Sequence, residues 1–234
     1  MTGPPLASPV LARTLRSPAA IFVALAAVLF TIVGLSAAHL PGTAVEVERF
    51  PETPAWAAAW SHWDSGWYRA IADEGYTYAG PGAQSSVAFF PAYPALMAVL
   101  GRVVGDLLVA GVLITFACGL GVSLLFHHWC RARLGGRAAW TAGATLAAYP
   151  FAYFLTGAVY ADALFLVGAL GAFILAERGS LWLAGLAGAV AADAVGISVS
   201  GASGTMLVTG LALFGGFLAS IVRQSGPAAR AGAG

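Results

Sequence analysis

Six stretches of this chain, at about residues 19–38, 103–126, 138–156, 159–176, 182–200 and 203–222, are strongly apolar. Each approaches the roughly 20 residues that carry a helix across the ~30 Å hydrocarbon layer of a bilayer. Hydrophobic residues make up 59% of the chain and charged residues only 9%, against roughly 25% charged in ordinary soluble domains. A water-soluble globular fold is thereby excluded. The pattern predicts an all-α polytopic membrane protein of about six transmembrane helices, with interfacial helices in a long first external loop. All 11 basic residues are arginine and the formal net charge is +1, so the basic footprint of a nucleic-acid binder is missing and no nucleic-acid partner is expected. Cys118 and Cys130 lie in or beside one apolar segment without other ligand types nearby, and read as neither a disulfide nor a metal site.

Arginine placement orients the chain. With the N-terminus in the cytoplasm, Arg13, Arg16, Arg131, Arg133, Arg137, Arg178, Arg223 and Arg230 fall inside, leaving Arg49, Arg69 and Arg102 outside; the excess of inner arginine selects this arrangement. The expected organisation is a cytoplasmic tail over 1–18, one transmembrane domain over 19–222 with an external loop at 39–102, and a cytoplasmic tail over 223–234, all in the cell membrane. Arg13 and Arg16 before the first run and Ser36-Ala37-Ala38 after it resemble a signal peptide, but the run exceeds the usual h-region and reads as a retained helix. Residues 87–101 are read as an interfacial or re-entrant piece, because Pro91 and Pro94 interrupt helical hydrogen bonding and counting a span there would place Arg131, Arg133 and Arg137 outside.

The external loop holds Glu46, Glu48, Glu52, Asp64, Asp73 and Glu74, most of the acid in the chain. Trp56, Trp60, Trp63 and Trp67 recur at helical spacing, which predicts one flat surface helix with four indoles on a narrow stripe at the headgroup level. Asp64 would border that stripe, where loss of water favours a neutral carboxyl able to take a proton from a hydroxyl; equally, it reads as the N-cap of a helix starting at Ser65. Asp162, inside an apolar stretch at the expected external turn, is a second candidate by its cost in lipid, with a solvated turn residue as the alternative. Asp106 reads as the partner of a helix N-terminus. Asp193, in the middle of a span, has no evident cationic partner. His127 and His128 are placed in a cytoplasmic loop and make poor metal ligands. No phosphate loop, nucleotide fingerprint or serine–histidine–aspartate order is present.

The segments His62-Trp63-Asp64-Ser65-Gly66-Trp67-Tyr68, Ile71-Ala72-Asp73-Glu74-Gly75-Tyr76 and Val87-Ala88-Phe89-Phe90-Pro91-Ala92-Tyr93-Pro94 resemble the first external loop of the PIG-V-like mannosyltransferases. These are integral-membrane enzymes of the GT-C glycosyltransferase type, related to the enzyme that adds the second mannose to GPI anchors. Ala158-Val159-Tyr160-Ala161-Asp162-Ala163-Leu164-Phe165 is similar to that family's VYTESLF segment. The resemblance covers about residues 15–190. It implies transfer of mannose, with inversion, from a polyprenyl-phosphate carrier to a lipid or protein acceptor on the outer face, without cofactor or metal. The donor and membrane lipids are the implied partners. Asp64 matches the family's external-loop acid and would be the general base. Asp162 would orient the acceptor or act on Asp64 by like-charge repulsion.

A cation must meet the charge growing on the leaving phosphate, which points to Arg69 or Arg102, unless these arginines pair with carboxylates or snorkel to headgroups. Trp67, Tyr68, Tyr93 and Tyr160 are the candidate sugar contacts, though positions in an aromatic belt account for the tyrosines equally.

The chain departs from the family beyond that region. Where members carry a Thr-Arg pair it reads Ala191-Ala192-Asp193-Ala194-Val195-Gly196, and the family's distal half does not follow. The sequence therefore also reads as a C-terminally short form, a fragment, or the product of a shifted frame. The alternative function is an inactive fragment or a non-catalytic membrane subunit whose external loop docks a partner protein or binds lipid. A small transporter is a third class, disfavoured by mostly bland spans.

Overall fold

In the computed structural model, which describes residues 17–40 and 49–194, every regular element is helical and no strand occurs among the described residues. The expected sixth span at 203–222, both tails beyond Ser17 and Ala194, and the end of the fifth span lie outside the described residues.

Helix α1 (Pro18–His39) opens on a proline at its first position, where the missing N–H costs nothing because that donor has no intrahelical acceptor. Only Phe22 and Ala26 of its 22 residues are buried, while Val23, Val28, Ile32 and Leu35 face outward. An apolar surface of that extent needs an apolar surrounding. After a one-turn helix α2 (Ala55–Ala58) and helix α3 (Ser65–Glu74), helix α4 (Ala92–Val104) folds back on the start of helix α5 (Leu107–Leu134). Pro91 and Pro94 do not break α4: they occupy its cap and first turn, where no N–H is required. Its 13 residues make about 20 Å of helix, so it stays too short to span.

The central element is α5, whose 28 residues run about 42 Å. Asp106 caps it, its carboxylate accepting the Val109 N–H at 2.8 Å and the Thr53 hydroxyl at 2.6 Å. The helix continues through His127 and His128 to Leu134, so these histidines belong to its last turns and not to a loop. Arg131 and Arg133 near its C-terminus favour that extension through the helix dipole, and Gly135 at φ 80° ends it.

The third expected span, 138–156, is divided. Helix α6 (Gly136–Ala148) stops at Tyr149, which precedes Pro150 and is extended at ψ 135°, as the proline ring demands of its predecessor. A 3-10 turn (Pro150–Ala152) and a one-turn helix α7 (Tyr153–Thr156) follow. Helices α8 (Asp162–Glu177) and α9 (Leu181–Ala194) form a hairpin joined by Gly179 at φ 79°. They pack closely because a Cβ on Gly168 would meet the Ala187 carbonyl at 3.0 Å and Ala191 at 3.1 Å, the small-residue contact typical of helices in lipid.

Two helices, α1 and α5, are long and apolar enough to cross a membrane. The six expected spans are not all matched by such helices: α6 and α8 are cut to 13 and 16 residues by the Pro150 break and the turn before Asp162.

Contacts along α5 set direction. Phe22 meets Phe116 and Phe30 meets Trp60, Trp140 meets His127, Val167 approaches Gly121, and Arg133 pairs with Glu177. Thus α5 and α8 run one way and α1, α6 and α9 the other. Arg131, Arg133, Arg137 and Arg178 share one end of the bundle, with Glu177 bound to Arg133. The opposite end carries Asp64, Asp162 and Asp193. Beneath it lies a core of Trp60, Tyr68, Tyr93, Met97, Leu108, Val112 and Val159.

Candidate functional site

The tryptophan stripe does not form. After α2 the chain turns, so Trp60 is fully buried against Phe30 and Tyr153 while Trp63 is 71% exposed. Trp56 is exposed near Phe30, and Trp67 stacks on Phe89 at 5.9 Å. Four residues at helical spacing are thus divided between two helices and the turn joining them. Trp63 stands at φ 48°, the one non-glycine residue with positive φ among those described. For a bulky L-residue this costs about 1–2 kcal/mol.

Hydrogen bonds hold that turn. Ser65 Oγ donates to the His62 carbonyl at 2.8 Å and accepts the His62 N–H at 3.2 Å. The Asp64 N–H donates to the Tyr160 hydroxyl at 2.8 Å. Asp64 holds the N-cap position of a helix starting at Ser65, as one reading expected, but its side chain makes no capping bond. Its carboxylate is exposed and not half-dehydrated as expected, because no continuous indole face lies beneath it.

The segment from Gly157 to Asp162 docks on the same turn. The Trp60 carbonyl accepts the Val159 N–H at 3.4 Å and the Tyr153 hydroxyl at 3.3 Å. Thr115 Oγ1, from within α5, donates to the Ala158 carbonyl at 2.8 Å. Tyr93 then acts as donor, with Thr115 Oγ1 at 2.9 Å and the Gly111 carbonyl at 3.0 Å. Tyr93 is therefore a fully buried strut between α4 and α5 and is withdrawn from any sugar.

Tyr68 is the hub of the aromatic cluster. Its ring meets Phe89 and Tyr93 at 5.2 Å each and Tyr160 at 5.9 Å, all edge to face. Burial pushes its phenol above the ordinary tyrosine range, and the negative charges of Asp162 and Asp64 and the Tyr160 phenol push it further. Two carboxylates 98 positions apart in sequence thus both bear on the charge of one phenol, and Asp162, like Asp64, is exposed.

The arginines are arranged otherwise than expected. Arg69 pairs with Asp73 one turn along α3 at 3.7 Å and lies over Phe50 at 5.4 Å. Arg102 is exposed in the last turn of α4, nine residues past Tyr93, about 13 Å along the axis, and takes no part in the cluster. Arg49, not singled out from sequence, lies over the same Phe50 ring at 5.3 Å, and its guanidinium is 3.2 Å from where a Cβ on Gly66 would sit. Gly66 was its one trace in the sequence. The hydroxyl of Tyr76 donates to the Phe89 carbonyl at 2.8 Å, and its phenol is raised by burial first and by the charge of Asp193 second.

Among the described residues no three histidine, cysteine or acidic side chains converge as a metal site would require. A groove of about 980 Å³ opens near the other end of α5, lined by Phe126, Leu134, Arg137, Thr141, Leu146 and Tyr149; neither Asp64, Asp162 nor the aromatic cluster around Tyr68 lines it. The chain matches no family model, no curated protein and no solved structure.

Proposed function

We propose that the protein is a multi-pass membrane glycosyltransferase, moving mannose from a polyprenyl-phosphate donor to a lipid or protein acceptor with Asp64 as general base. The observation that carries this reading is the setting of Asp64: its carboxylate makes no capping bond to α3, and its amide is tied to Tyr160, two residues before Asp162. In the proposed step the acceptor oxygen attacks the anomeric carbon, the carbon–oxygen bond to the lipid phosphate breaks with its electron pair, and Asp64 takes the hydroxyl proton. The phosphate leaves beside Arg49, whose guanidinium lies against Gly66.

The topology of the proposal is six spans with both termini cytoplasmic and the Asp64 end outside. It is supported by the gathering of Arg131, Arg133, Arg137 and Arg178 at the opposite end. Leu96, Val99 and Val103, apolar and exposed on α4, offer a surface along which an isoprenoid chain can lie.

Membranes containing equal amounts of wild type and Asp64→Asn, supplied with polyprenyl-phosphate mannose, test the reading. Loss of a general base lowers transfer by about 10²–10⁴-fold; equal transfer by both proteins overturns it. A second reading, a non-catalytic subunit, draws on the pairing of Arg69 with Asp73 and on the groove remote from Asp64. It predicts a co-purifying active polypeptide whose transfer is indifferent to Asp64→Asn.

A further inference from the structure

The geometry points to Tyr160 as the positioning residue of Asp64, acting through the hydrogen bond that its phenol oxygen accepts from the Asp64 N–H. The inference rests on the reading of Asp64 as a base, but its structural half stands without it.

The Asp64 N–H lies ahead of α3 and has no intrahelical acceptor. Its partner comes instead from a residue 96 positions later. The preceding residue, Trp63, is in a left-handed conformation that a tryptophan does not keep unless its surroundings impose it. The bonds between His62 and Ser65 close the turn locally. Trp63 stacks on Phe154 and the Trp60 carbonyl takes two bonds from the 153–159 segment, and Tyr160 adds the tie made directly to the Asp64 amide.

The ring of Tyr160 has other work. Tyr68 and Phe154 meet it edge to face at 5.9 and 5.1 Å, leaving the hydroxyl as the functional atom in place of a stacking face for sugar. The residue also belongs to the segment that Thr115 anchors to α5, two positions before Asp162. One short, braced piece of chain therefore sets Asp162 covalently and Asp64 by a hydrogen bond, and fixes how the two carboxylates sit relative to each other. A side chain follows its backbone through a few staggered rotamers, so holding the Asp64 amide aims the carboxylate.

Tyr160→Phe in the full chain keeps the ring and removes only the acceptor oxygen. Amide hydrogen exchange should show Asp64 protected in wild type and exchanging at least about tenfold faster in the variant; equal rates overturn the proposal. With polyprenyl-phosphate mannose as donor, kcat should fall about tenfold or more while the donor KM stays within about twofold, as expected when a misaimed base loses only transition-state stabilisation. In an Asp64→Asn background the same substitution should cost nothing further, whereas a full additional loss overturns it. A variant that does not fold leaves the wild-type amide as the test: exchange at the rate of an unprotected amide overturns the latch. A wild type that transfers no mannose defeats the functional reading alone, because protection of the Asp64 amide still decides the structural half.

Discussion

The indole of Trp60 lies directly against Gly157: a Cβ on that glycine would fall 2.7–2.9 Å from three atoms of the ring. This contact lets the Gly157–Asp162 segment settle on the turn that carries Asp64. Gly157→Ala should force one of the two away, at a cost of about 1–3 kcal/mol for overpacking a buried site. Thermal unfolding in detergent checks the loss of stability. Transfer activity should fall with it, since the Val159 and Tyr160 hydrogen bonds are displaced together.

Asp162→Asn is expected to weaken transfer less than Asp64→Asn. In the proposed step only Asp64 takes a proton, and Asp162 would contribute orientation and charge. Single-turnover rates on both variants should separate a deficit of about 10²-fold or more at Asp64 from a smaller one at Asp162. Equal deficits would assign the proton transfer to the pair jointly.

Arg49→Ala should raise the donor KM or slow transfer about tenfold or more, through loss of a charge-assisted contact to the phosphate. Arg69→Ala should change activity little and stability by only about 0.2–0.5 kcal/mol, the range of an exposed i,i+4 pair. Kinetics on the two variants side by side decide which guanidinium serves the donor.

Tyr68 carries a pH signature. Its phenol ionises above the usual range because burial and two nearby carboxylates disfavour the anion. The folded chain therefore holds this proton at a pH where the unfolded chain releases it. Stability at this residue is complete below the ordinary phenol value of about 10 and declines as pH rises above it. Unfolding measured between about pH 9 and 11.5 should show that slope, and Tyr68→Phe should reduce it.

The contrast between Trp60 and Trp63 shows where periodicity stops being informative. Spacing places them on a common helical face, yet one is in the core and the other at the surface, because the chain turns between them and Trp63 takes a left-handed conformation. That turn is stabilised by Tyr160, which no local window contains. Arg49 was overlooked for the same reason: its approach to Gly66 arises only after the loop closes. Arg69 was readable, since a partner four residues away on a helix needs no tertiary structure.

Hydrophobicity and charge are summed over neighbouring residues, so the sequence alone was enough for the helical character of the described residues, for apolar α1 and α5, and for the acid-rich loop. Separation of the acids from the arginine cluster was equally legible once the helices were taken to alternate. The bond from the Asp64 amide to Tyr160, the withdrawal of Tyr93 into the core and the break at Tyr149 depended on long-range contacts and on backbone conformation. Those are properties of a closed three-dimensional packing, in which a glycine's missing methyl or one phenol oxygen determines which distant segments meet.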